Sequence, residues 1–137
     1  MNPQELRIGN LFHPCSTRGG ITIPSTDIIW KVAMIDKFGK IGVIEPENHE
    51  SIFLPINECS PIPLTEEWLT KFGFVYRTDT GFNGWYSIPV LGESIRIFEV
   101  ENNWFKYHSA TTVIKHVHSL QNLFFCLCGE ELQIQNL

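Results

Sequence analysis

In the first sixty residues the apolar positions come in short runs broken by glycine, proline and polar clusters, a pattern that predicts strands. Residues 7–12 supply the first, and a polar stretch rich in Gly, Ser, Thr and Pro over 15–26 reads as a loop. A longer strand is expected over 27–35, where Ile28, Ile29, Trp30, Val32, Met34 and Ile35 carry the apolar content. Lys37-Phe38-Gly39-Lys40 reads as a turn, 41–44 as a strand, 45–50 as a turn and 51–56 as a further strand. Short bent strands with glycines predict an SH3-like β-roll over 1–60, with a plain antiparallel sheet as the alternative.

The period changes at Pro61. Thr65 is placed to cap a helix over 65–72, because its hydroxyl can accept from an otherwise unpaired N–H. Glu66 and Glu67 follow at the positive end of the helix dipole. Leu64 and Leu69 have the spacing of a hydrophobic staple, and Gly73 is a left-handed stop. Alternation then resumes at 74–78, 85–90, 95–100 and 104–108, with a hairpin loop over 79–84, and predicts a four-stranded meander. A second helix is expected from a cap at Thr111 or Thr112 to Gly129. Val113, Val117, Leu120, Phe124 and Leu127 would form its apolar stripe. Residues 132–134 could add a closing strand. The fold class expected is therefore α+β: the β-roll over 1–60 and an α-β-β-β-β-α unit over 61–137, packed together as one compact domain.

Composition narrows the function classes. The 137 residues are 43% hydrophobic and 12% aromatic, enough for a core, but only 18% charged. So little charge leaves neutral surface of the kind often covered in an oligomer, and a homo-oligomer is expected. Ten Lys and Arg against 15 Asp and Glu give a net charge of −5. That balance speaks against duplex nucleic acid as a partner, though one or two arginines suffice to grip a single phosphate-bearing ligand. The acidic, polar start is unlike a signal peptide, and no apolar run approaches the roughly 20 residues of a membrane span. A cytoplasmic protein with four reduced cysteines, Cys15, Cys59, Cys126 and Cys128, is expected.

Three ordered segments carry a resemblance. Glu5-Leu6-Arg7-Ile8-Gly9-Asn10-Leu11, Pro61-Ile62-Pro63-Leu64-Thr65-Glu66-Glu67-Trp68-Leu69 and Ile114-Lys115-His116-Val117-His118-Ser119-Leu120-Gln121-Asn122-Leu123-Phe124-Phe125, closed by Gly129-Glu130-Glu131-Leu132, resemble a family of small accessory proteins of phages and prophages of Bacteroidota. The resemblance implies expression in a bacterial host cytoplasm during infection and carries over no catalytic residue. By analogy with other small phage accessory proteins, it suggests capture of a nucleotide signal made by host immunity, such as a cyclic ADP-ribose isomer or a cyclic oligonucleotide.

The residues themselves offer several constellations. His13, Cys15, His49 and Cys59 lack the paired spacing of a zinc site, so no metal or other cofactor is expected. His116 and His118, two apart on the expected helix, cannot serve one substrate together, and no nucleophile–base motif is present, so catalysis is not expected. Glu99 is the carboxylate whose burial would be odd. Arg18-Gly19-Gly20 could wrap an anion with backbone N–H groups, or be a plain surface loop. The meander supplies Tyr76, Arg77, Trp85, Tyr86, Arg96, Trp104, Lys106 and Tyr107: rings to stack a base and guanidinia to grip a pyrophosphate. Alternation sends Trp85 and Tyr86 to opposite faces, so only some of the set can line one pocket; the alternative is a solvent- or dimer-facing sheet. Lys115, His118, Gln121 and Asn122 are expected on the polar side of the last helix, facing a ligand, a second subunit or water. The expected function is non-enzymatic capture of a small nucleotide; the rival is a protein–protein interaction module.

Overall fold

The computed structural model describes residues 5–45, 49–78, 84–90, 93–101, 104–107 and 113–135. It is a mixed α+β protein of antiparallel sheets and two helices, divided into two compact units, Met1–Ile62 and Pro63–Leu137.

In the N-terminal unit β1 (Leu11–Arg18) is shared by three partners. Its end pairs with β2 (Ile21–Pro24), its start with β3 (Trp30–Lys31) and its middle with β7 (Cys59–Ser60). A second sheet has the order β4 (Met34–Ile35), β5 (Ile41–Ile44), β6 (Ser51–Leu54). Leu6, Phe12, Val32, Ile41, Val43 and Cys59 form the core, with Trp30, Ile35, Ile52, Leu54 and Ile56 packed around it. Alternation explains the choice. Ile41 and Val43 point inward, Gly42 and Ile44 outward, and the paired Leu54 and Ile52 follow.

Three expectations fail here, the first being the strand over 7–12, which begins only at Leu11. The segment 15–26 is a hairpin, not a loop. Gly19 and Gly20 have φ of +60° and +79°, as a type I′ turn requires, and glycine reaches that region without cost. The strand expected over 27–35 is split into β3 and β4. At the break the chain changes partner: the Val32 N–H still donates to Asn10 O beside β1, and the Ala33 N–H donates to Gly42 O of β5.

In the C-terminal unit α1 (Glu66–Lys71) begins as its sequence dictates. Thr65 Oγ1 accepts from the Trp68 N–H at 3.4 Å. Its end is a full Schellman closure: Gly73, at φ +93°, donates to Thr70 O, and Phe74 donates to Leu69 O, each at 3.0 Å. Leu64 and Leu69 are both fully buried. Five strands follow, side by side in the order β12 (Val113–Ile114), β11 (Trp104–Tyr107), β10 (Glu93–Glu101), β9 (Trp85–Val90), β8 (Val75–Arg77).

The last helix, α2 (Val117–Cys128), starts later than expected. Thr111 and Thr112 lie outside the described residues, and Val113-Ile114 pairs with β11 as a fifth strand. His116 stands at the cap position but its side chain does not cap the helix, and Gly129 closes the helix at φ +73°. The later start rotates the buried stripe to Val117, His118, Leu120, Gln121 and Phe124, leaving Leu127 exposed. Residues 132–134 add no strand. No helix among the described residues is long and apolar enough to cross a membrane.

Candidate functional site on the outer face of the C-terminal sheet

The register divides the expected ring-and-guanidinium set between two faces. Tyr76 pairs with Tyr86, Tyr86 with Ile97 and Ile97 with Tyr107, so these four share one side. That side is the buried one: Ile95, Ile97 and Phe105 are core, and the Tyr86 hydroxyl donates to the Glu66 carboxylate of α1. Burial first, then this bond, and then the charges of Glu66 and Glu99 hold the Tyr86 phenol well above its ordinary pKa. Tyr76 packs against Tyr86 with centroids 5.0 Å apart and planes tilted by 54°, and a Cβ at Gly84 would collide with the Tyr76 ring. Glu99 pairs with Phe105 at the sheet margin and is exposed. Tyr76, Tyr86 and Tyr107 therefore do not join the arginines, which corrects the cluster expected from sequence.

The outer face keeps the rest. Arg77 on β8 pairs with Trp85 on β9, and Arg96 on β10 pairs with Ser87, two residues further along β9 on the same face. Arg96 Cζ lies 5.2 Å from the Trp85 ring centroid, within cation–π range. Arg77 Nε donates to Ser87 Oγ at 3.2 Å. Two guanidinia thus flank one indole from the strands on either side. Phe98 lies 6.5 Å from Trp85, centroid to centroid, and pairs with Lys106 on β11. At the far side Lys115 Nζ sits 4.2 Å over the ring of Trp104. Ser87 is buried although it belongs to this face; it is a short side chain opposite Arg96, and Arg77 reaches over to bond it.

The charge on this surface runs against that of the chain. Four of the 10 Lys and Arg residues (Arg77, Arg96, Lys106 and Lys115) stand on it, in a protein of net charge −5. Glu101 on β10 pairs with Trp104, and among the described residues no carboxylate pairs with Arg77 or Arg96. Like charges held together raise the local potential and attract an anion, and a guanidinium offers a planar fork that fits a phosphate. Arg96 on Trp85 is also a flat, cationic stacking surface for a base.

The remaining candidates fall elsewhere. Arg18 ends β1 at the Gly19-Gly20 turn, and its side chain lies outside the described residues. His118 and Gln121 are 1% and 2% exposed, so they belong to the core of their unit and not to a wet helix face; Asn122 is half-buried. His116 and His118 do come together, contrary to expectation. His116 precedes the helix, and the rings stack at 5.5 Å with planes 8° apart. In the N-terminal unit His13 Nδ1 lies 2.7 Å from the Ile28 carbonyl. Burial, then the neighbouring Cys15 and Glu58, push the Cys59 thiol up to about 12. Among the described residues no group of three or more His, Cys, Asp or Glu side chains is placed to hold a metal ion. Sequence reasoning missed Phe98 and Ser87. The alternation of β10 puts Phe98 on the face of Arg96, which was a usable signal; Ser87 carried none.

No protein-family model, no curated protein and no solved structure matches this chain.

Proposed function

We propose that this is a non-enzymatic phage accessory protein that captures a small nucleotide-derived host signal on the outer face of its C-terminal sheet. The observation that carries the reading is the Arg77–Trp85–Arg96 arrangement: one indole between two guanidinia with no described carboxylate to neutralise them. A base stacked on such a floor contributes about 1–3 kcal/mol, and phosphate oxygens take the guanidinium forks. Capture requires no proton transfer, so the reading needs neither a nucleophile nor a metal. The phage context rests on the resemblance of the three sequence segments.

The test is capture followed by release. The protein is incubated with cyclic ADP-ribose isomers and cyclic oligonucleotides, separated from free ligand, and heat-denatured. Capture predicts depletion of one ligand class from solution, its intact recovery after denaturation, and a higher melting temperature with ligand, since only the folded state binds. An altered ligand would mean catalysis; no depletion would refute the reading.

A second reading is favoured by a specific observation in the N-terminal unit, which we read as an SH3-like roll because one bent strand serves three partners in turn. Met34, Ile44 and Phe53 on the outer side of β4-β5-β6 are 40%, 53% and 48% exposed. An apolar patch of this kind suits a protein–protein contact, including one between copies of this chain in a homo-oligomer. Light scattering of the wild type against Phe53→Ser distinguishes the two: a fall in mass on substitution supports it, and a monomeric wild type removes the homo-oligomer.

A further inference from the structure

We propose that the site on the C-terminal sheet takes a ligand with two bases joined by phosphate, such as a cyclic or linear dinucleotide, in preference to a single-base nucleotide. This rests on the nucleotide-capture reading and sharpens it. The reason is that the outer face carries two ring-and-cation platforms. Trp85 with Arg96 is the first, and Trp104 with Lys115 is the second. They stand on β9 and β11, with β10 between them. Phe98 neighbours Trp85 and pairs with Lys106, and Trp104 lies two residues before Lys106 on the same strand. Two strand spacings across and two residues along put the two Trp backbones roughly 12 Å apart.

One purine does not span two platforms rooted two strands apart. Two bases linked through a sugar-phosphate can, with Lys106 between the platforms to meet the linking phosphate. Charge complementarity points the same way: four cations are spread over the whole width of the sheet instead of being gathered at one ring. Trp104 is 42% exposed, and exposed indole beside an ammonium is surface available for stacking.

The test uses the full chain and two probes of similar charge, cyclic di-AMP and AMP, titrated by calorimetry against wild type, Trp104→Ala and Lys115→Gln. Because Trp104 is already exposed, truncation opens no buried cavity; Lys115→Gln supplies a milder change at the same platform. The expected result is tighter binding of cyclic di-AMP than of AMP by about tenfold or more, the value of one extra stacked base. Trp104→Ala abolishes that excess, so that the two probes bind alike, and Lys115→Gln reduces it in part. Equal affinities for the two probes, or an equal loss of both in Trp104→Ala, would overturn the two-base site while leaving nucleotide capture intact. Binding of neither probe, with binding of a cyclic ADP-ribose isomer, would also overturn it and keep capture. If no nucleotide binds, both fail.

Discussion

The two units each build a sheet that buries one face and presents the other, and the presented faces differ in kind. In the N-terminal unit the outer side of β4-β5-β6 is apolar: Met34 and Phe53 stand on either side of Gly42, and Ile44 continues the row. In the C-terminal unit the outer side of β8–β12 is cationic and aromatic. Removing the first from water gains about 25 cal/mol per Å² whatever apolar surface covers it. The second gains little from an apolar cover, which would desolvate guanidinia without pairing them. It gains from an anion with flat rings. One architecture therefore presents two surfaces with different demands, and outer-face chemistry, not strand order, sets what each can hold.

The comparison breaks most visibly at Trp85 and Arg96. The pair Trp85→Ala, Arg96→Gln should weaken nucleotide binding about 100-fold by calorimetry while leaving the fold in place, since both side chains sit outside the core. Gly42→Val acts on the other face. A Cβ there would lie 3.0 Å from the Phe53 ring and 3.1 Å from Met34 Cβ, so crowding should cost about 1–3 kcal/mol in urea unfolding and spare nucleotide binding. Tyr86→Phe removes the bond to Glu66 behind the C-terminal sheet and should cost about 1 kcal/mol at neutral pH. It also carries a pH signature. The folded phenol titrates above the unfolded value of about 10, so the folded state holds its proton more tightly. That contribution is complete below pH ~10 and is lost as pH rises further; in Tyr86→Phe the alkaline fall in stability should be shallower. The smallest effect is expected at Gly129→Ala, where φ is +73° but nothing crowds a Cβ: up to about 1 kcal/mol, read as a small shift in melting temperature.

What could be read from sequence was what is decided locally. Helix α1 was legible because Thr65, Gly73 and the Leu64–Leu69 pair determine it within ten residues of chain. Helix α2 was legible at Gly129 and not at its start. Val113 and Val117 are four apart and fit a helix, yet Val113-Ile114 pairs with β11, a contact set by the rest of the sheet. That shift of start also misplaced Gln121. It lies one turn beyond Val117 and shares its buried side, a spacing that was available but was overruled by its polarity. The glycine-rich stretch after Cys15 reads as a loop because its residues are polar and small; Arg18 and Ile21 pair across it, and β2 is exposed throughout. For the site, alternation separated Trp85 from Tyr86, but both rings are amphipathic, and which one turns inward depends on where α1 puts Glu66.

The central claim is that nucleotide meets the outer face of the C-terminal sheet. The chain has four tryptophans, and only Trp85 and Trp104 stand on that face; Trp30 belongs to the N-terminal core and Trp68 to α1. Heteronuclear NMR of the indole N–H groups during titration with cyclic di-AMP reads all four at once. The account predicts that the Trp85 and Trp104 signals move in a saturable way while those of Trp30 and Trp68 stay in place. Shifts confined to Trp30 or Trp68, or four stationary signals at a concentration where calorimetry registers binding, would contradict it.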